Sequence, residues 1–342
     1  MATMLLFSAS CSSGASDDSS DYDIIALYAP EAIGDLSYGD AISLALHKAA
    51  NATDITLLEF VPQDWEKAKT QAENLLEQKQ SANAEVLYVF CDGMYKKTLE
   101  DLAAKIEQNN KQVLLIDSRE TNASQNIHTV CFSFYGIAYE AGRLATKLIQ
   151  ETDKVDIIIG DTSNSLLQDA IKGFTAGLGE RTGEISLNEI GNLMESSGYN
   201  QAASLYWYYT IEQASKTASS TNTAKLILPL CGGSIHGIFR YNRDYGEKSA
   251  YTIGMDTDMS PYTNRVPYST VKHFDRALAQ CLQQWIDGSL PHHQLLGLEA
   301  GFTETVLAPA YKEKLQGELE AIHNDAIEKE TDYENEIENK NK

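Results

Sequence analysis

The sequence predicts an α/β fold in two lobes, and three observations carry that prediction. Short β-branched runs alternate with longer stretches of helical spacing from Tyr22 to Lys272, the pattern of βαβ units, a parallel sheet and right-handed crossovers. The alternation comes as two series of comparable size, before and after about Tyr135, with no sequence repeat between them. At 342 residues and 43 % hydrophobic content, the chain exceeds one ordinary domain and has apolar material for a core in each lobe. Forty-nine acidic residues against twenty-seven basic ones give a net charge of −22, which opposes binding to nucleic acid or an anionic membrane surface. A small-molecule ligand fits that balance better.

The elements follow in order. Residues 1–21 hold a short apolar run ending in small residues before Cys11, then Ser- and Asp-rich sequence. This is similar to a bacterial lipobox with a flexible tether, so Cys11 is the expected lipid attachment site. Ser8 stands where Leu is usual and the basic start is missing; the competing reading is a frayed apolar N-terminus. No later run approaches the roughly 20 apolar residues of a membrane-spanning helix.

Tyr22 to Ala29 reads as a buried strand bounded by Asp and Pro, and Asp40 to Ala50 as a helix. The unit then repeats: strand Asp54 to Val61, helix Gln63 to Gln80, strand Glu85 to Cys91, helix Tyr95 to Asn109, and strands Gln112 to Asp117 and Ile127 to Ser133. The second series runs helix Tyr139 to Gln150, strand Val155 to Gly160, helix Leu166 to Leu178, strand Glu184 to Ile190 and helix Tyr199 to Ser215. It ends with strand Leu226 to Leu230, a glycine loop and helix, strand Ser249 to Met255, and a last strand to Lys272. The run Tyr206-Trp207-Tyr208-Tyr209 lies mid-helix, where consecutive residues point in different directions, so core packing with an amphipathic rim is expected rather than a binding box. The expected division is a first lobe at 22–134 completed by about 275–330, a second lobe at 135–272, a closing helix Pro309 to Glu330, and a charged, solvated tail at 331–342.

The strand ends are the candidate site, because open α/β sheets bind ligands outside the carboxyl ends of their strands. Gly232-Gly233-Ser234-Ile235-His236-Gly237 lacks both Gly-Lys-Ser/Thr and GxGxxG, so it is either a close backbone approach to a ligand or a tight strand-to-helix turn. Asp256 and Asp258 share a loop after a strand; accepting ligand hydroxyls is a more natural use of them than binding a metal. Asp92 and Asp117 also end apolar strands. His292-His293 sits in an exposed turn, the five cysteines show no CxxC or zinc spacing, and no GxSxG elbow marks a nucleophile.

Taken together, Gly34-Asp35-Leu36-Ser37-Tyr38, Leu114-Leu115-Ile116-Asp117-Ser118, Ile171-Lys172-Gly173-Phe174-Thr175-Ala176-Gly177, Cys231-Gly232-Gly233, Ile253-Gly254-Met255-Asp256-Thr257-Asp258 and Thr270-Val271-Lys272 occur in one order. That order resembles the basic membrane protein family of bacterial lipoproteins, the substrate-binding proteins of nucleoside ABC transporters, over about residues 22 to 305. The resemblance implies a type I periplasmic-binding fold, in which two Rossmann-like lobes joined by three crossing strands close on a ligand. It implies a nucleoside-like ligand, an ABC permease as partner and no cofactor. Tyr38 would stack on the base, Asp117 would bind ribose hydroxyls, Gly232 and Gly233 would lie against the ligand, and Asp256 and Lys272 would reach purine or ribose from the second lobe. Asp35 and Asp92 complete the expected site. The first loop departs from the family's usual Phe-Asn-Asp-x-Ser-Phe-Asn: Gly34 and Gly39 replace both asparagines, and Tyr38 adds a hydroxyl. A sensor feeding a signalling partner and a nucleoside-processing enzyme are the competing classes.

Overall fold

The computed structural model describes residues 21–77, 84–119, 123–198, 200–213, 224–246 and 249–341. Cys11 lies outside them. The first sheet holds six strands: β1 (Asp21–Leu27), β2 (Thr56–Phe60), β3 (Ala84–Phe90), β4 (Gln112–Ile116), β5 (Ile127–Phe132) and, from far along the chain, β12 (His293–Leu296). Their spatial order is β12-β5-β4-β3-β1-β2, and every pairing is parallel. The second sheet, also all parallel, orders β7 (Ile185–Glu189), β6 (Lys154–Ile159), β8 (Ala224–Leu230) and β9 (Tyr251–Thr252) as β7-β6-β8-β9. Counted within each series, both begin 2-1-3-4. The two lobes therefore share a topology that their sequences do not reveal.

Each sheet is covered on both faces, as the apolar strand runs require. In the first lobe, α1 (Tyr38–Thr53) and α10 (Phe274–Ile286) pack on one face, and α2 (Trp65–Glu77) with the short helices α3 (Lys96–Asp101) and α4 (Ala103–Gln108) cover the other. In the second lobe, α5 (Tyr135–Ala145) and α6 (Ser165–Leu178) cover one face. The other carries α7 (Ile190–Ser197), α8 (Gln201–Trp207) and α9 (His236–Asp244). Within the aromatic run, Tyr206 and Tyr209 enter this core while Trp207 and Tyr208 are half-buried at its edge. The helix there widens into a π-helical turn, Tyr208–Gln213.

A third, three-stranded sheet joins the lobes. β10 (Gly254–Asp256) runs parallel to β11 (Tyr268–Lys272), which runs antiparallel to β13 (Thr303–Leu307). The single strand expected at Ser249 to Met255 is thus cut after Thr252, β9 staying in the second sheet and β10 turning into the joining one. The chain crosses between the lobes three times: from β5 into α5, from β11 into α10, and from β12 into β13.

The C-terminal helix corrects the sequence reading twice. α11 spans Lys312–Asn341, through the stretch expected to be a solvated tail. Its Leu315, Ile322 and Ala326 pack with α5 and β6 of the second lobe, not with the first lobe to which 275–330 was assigned. The physical reason is that the buried stripe begins apolar and ends acidic. Glu330 and Glu334 continue the spacing of Ile322 and Ala326 and are buried too, and composition does not say that a carboxylate has partners waiting.

Candidate functional site

Lys272, the last residue of β11, is the centre of the strand-end cluster. Its ammonium pairs with Asp117 at the end of β4 and lies 3.5 Å from Asp256 at the end of β10. The Lys272 and Asp117 side chains are only 6 % and 9 % exposed. Aromatic rings surround the same nitrogen: Phe134 at 4.7 Å, Tyr38 at 5.3 Å, Phe132 at 5.8 Å and Phe274 at 6.0 Å from ring centre. Burial by itself would lower the lysine pKa; the Asp117 and Asp256 carboxylates outweigh it and hold the ammonium above its ordinary value.

Both aspartates adopt the left-handed backbone region, with φ +56° at Asp117 and +65° at Asp256. An L-residue enters it at a cost, and aspartate tolerates it better than most because its short polar side chain can bond locally. Asp117 instead bonds across to the neighbouring strand, one carboxylate oxygen accepting the Phe132 N–H at 3.3 Å. Burial pushes the Asp256 carboxyl up, with Lys272 pulling against it and Asp117 and Asp35 adding to the rise. Asp92 caps the 3₁₀ turn Gly93–Tyr95, accepting the Met94 N–H at 2.8 Å. Its carboxyl is pushed up to about 6, mainly by burial, with Asp117 raising it while the Met94 N–H and Lys272 restrain it.

The first loop is built by its own acids. Asp35 accepts the N–H groups of Ser37 at 2.8 Å, Gly39 at 2.9 Å and Asp40 at 3.1 Å, while Asp40 accepts those of Gly34 at 2.7 Å and Leu36 at 2.9 Å. The Asp35 carboxylate is thus occupied in shaping the turn into α1. That turn delivers Tyr38, whose ring meets Phe274 edge to face at 5.3 Å between centres.

Across from it lies the glycine loop of the second lobe. A Cβ on Gly233 would fall 2.7 Å from the Asp35 carbonyl oxygen, so the lobes meet here backbone to backbone. Gly232 has open space around it but φ +52°, so it is needed for conformation and Gly233 for approach. The two alternatives left open for this loop, close approach and tight turn, fall to successive glycines, and the approach is to the opposite lobe.

A cleft of about 340 Å³ adjoins the cluster, lined by Met94, Asp117 and Ser118 from one lobe and Asp161, Ser163 and Asn164 from the other. Chemically, Asp92, Asp117 and Asp256 stand against one ammonium. Such a site offers strong acceptors for hydroxyl and amine donors, the Lys272 ammonium as a donor, and ring faces for a flat or apolar group, while Lys96, Lys97 and Arg119 add cations to the cleft lining. Sequence reasoning missed Phe132, Phe134 and Phe274; the signal was their place at the end of a strand or two residues beyond one. Among the described residues no group of three or more His, Cys, Asp or Glu is arranged to hold a metal. His292 and His293 instead bond the Ser124 carbonyl at 3.1 Å and Thr129 at 2.6 Å. Cys91, Cys131, Cys231 and Cys281 are free, and all but Cys231 are buried.

The sequence matches the Bmp family, described as ABC transporter substrate-binding protein PnrA-like, over residues 23–339. No curated protein matches it. Among solved structures it is similar to an ABC transporter solute-binding protein of Aeropyrum pernix K1, with TM-score 0.67 and 16 % identity over 92 % of this chain and 86 % of that one. It is also similar to a periplasmic solute-binding protein of Actinobacillus succinogenes 130z with bound D-allose, with TM-score 0.64 and 12 % identity over 85 % and 99 % of the two chains. A third is a solute-binding protein of Mycobacterium smegmatis with bound glycerol, with TM-score 0.63 and 15 % identity over 85 % and 96 %. At such identities these likenesses show the fold alone.

Proposed function

The chain belongs to the PnrA-like family of ABC transporter substrate-binding proteins, and from that premise we propose that it binds a nucleoside-like molecule between its lobes and presents it to a permease. The observation that carries this reading is Lys272 held between Asp117 of one lobe and Asp256 of the other, beside the Tyr38 ring. Carboxylates and an ammonium suit ribose hydroxyls and the polar edge of a base; a ring face suits the base itself. Asp92, Gly232 and Gly233 complete the wall, and Asp35 acts by shaping the loop. The lobes are residues 22–134 with 275–307, and 135–272 with α11. Because residues from both contribute, ligand contacts favour the closed arrangement over the open one, which is closure by population shift. The protein works outside the cytoplasm, tethered by a lipid on Cys11, and binds its ligand without transforming it.

A sugar is the competing ligand, because D-allose and glycerol are bound in two of the similar structures. Thermal unfolding of the protein from residue 22 onward, with purine nucleosides, free bases and hexoses, separates the two. At about 100 times its dissociation constant a ligand adds roughly 2.7 kcal/mol. A rise in midpoint with nucleosides is expected. A rise with hexoses alone would overturn the nucleoside and leave the closure mechanism standing.

A further inference from the structure

α11 runs along both lobes. On the second it bonds α5 residue by residue: Glu318 to Arg143 at 3.2 Å, His323 to Glu140 at 2.7 Å, and Asp325 accepting the Tyr139 hydroxyl at 2.6 Å. Beyond that the helix reaches the crossings. Glu330 accepts the N–H of Gly136, just past the first crossing, at 3.2 Å and that of Leu298, within the third, at 2.9 Å. A Cβ on Gly136 would sit 2.7 Å from the Glu330 side chain, so the helix lies directly on the first crossing. Glu334 accepts the hydroxyl of Ser133, in that crossing, at 2.8 Å.

Glu334 also takes a residue of the first lobe. Arg119 stands two residues beyond Asp117 and donates to Glu334 at 2.7 and 3.2 Å; its second terminal nitrogen donates to Asp169 on α6 at 2.7 Å. Asp169 is buried and also accepts from Tyr333 on α11 and from Lys172 at 3.3 Å. One guanidinium of the first lobe is thus shared by two carboxylates that travel with the second. A buried pair of this kind is costly to break, because each partner left alone is a desolvated charge.

We propose that α11 from Glu330 to Glu334 forms a strap over the hinge, and that Arg119 is the positioning residue fastening the first lobe to it in the closed arrangement. The inference deepens the closure reading and does not depend on which ligand is bound. Arg119 shares a loop with Asp117, so the strap and the ligand act on one short segment. Stabilising the closed form raises apparent affinity by raising the fraction competent to hold ligand.

The test uses the protein from residue 22 onward. Small-angle X-ray scattering without ligand reads the opening of the lobes, and calorimetry with inosine as probe reads affinity. Arg119→Gln and Glu334→Gln should each increase the radius of gyration and weaken inosine binding about tenfold, mainly through faster dissociation. The double variant should be no more than about twofold worse than either single, because both remove one fastening, and Arg119→Lys should recover part of the loss. An unchanged radius of gyration in both single variants would overturn the proposal even if the thermal midpoint fell, since that pattern is stability without closure. If Arg119→Gln does not fold, Glu334→Gln decides alone. If wild type binds no inosine, the ligand assignment fails, while the scattering comparison still tests the strap.

Discussion

Asp117 follows β4 of the first sheet and Asp256 ends β10 of the joining sheet, each with a left-handed backbone and each facing Lys272. A lysine between two such carboxylates makes the site a joint property of both lobes. Lys272→Met would leave Asp117 and Asp256 buried without their cation, and a loss of about 3–5 kcal/mol at neutral pH is expected from removing one partner of a buried pair. That loss should shrink as pH falls, because burial already pushes the Asp256 carboxyl up and protonating it removes part of the uncompensated charge; chemical denaturation at pH 7 and pH 4 checks it. Gly233→Ala tests the meeting of the lobes instead. Its new Cβ would lie against the Asp35 carbonyl, so affinity for the ligand should fall at least tenfold while the unliganded protein unfolds at its usual midpoint, as calorimetry and thermal melting would show.

At the scale of the element, α11 converts an acidic stretch into structure. Burial pushes the Glu330 carboxyl up to about 7 from its ordinary 4.5; its two N–H partners work against the rise and Glu334 adds to it. The folded form therefore binds this proton more tightly than the unfolded chain does. The stability so contributed is fully present below about pH 4.5 and is lost as pH rises through about 7, by up to roughly 3 kcal/mol. Glu330→Gln should remove that slope: the difference in unfolding free energy between wild type and variant should decline from pH 4.5 to pH 8. Glu334, one turn along the helix, and Arg119, which bonds it from the first lobe, both stay in the comparison. Parallel stability curves for the two proteins would assign the slope elsewhere.

For the whole molecule, two parallel sheets of like strand order, joined by a third sheet and three crossings, bring the ends of β4, β10 and β11 together at one cluster. The first sheet supplies Asp92 and Asp117, the joining sheet supplies Asp256 and Lys272, and the loop after β8 supplies the glycines. In the proposed closure these groups come together without remaking either core. Both the nucleoside screen and the scattering experiment address this scale. The first asks what the interface holds and the second what holds the interface.

Lys272 entered only through the family resemblance; sequence by itself determined the two α/β series and the strand-end positions of Asp117 and Asp256. Those follow from local periodicity and from small or charged residues after apolar runs, both of which are written in neighbouring positions. The split of Ser249 to Met255 between two sheets, the aromatic surround of Lys272 and the ordered end of α11 were decided by tertiary structure. Each depends on partners far apart in the chain: Phe134 is brought to Lys272 by the first crossing and Tyr38 by the start of α1, and Glu334 finds Arg119 215 residues away. A run of acids reads as solvated until the fold supplies the guanidinium and the backbone N–H groups that make burial favourable.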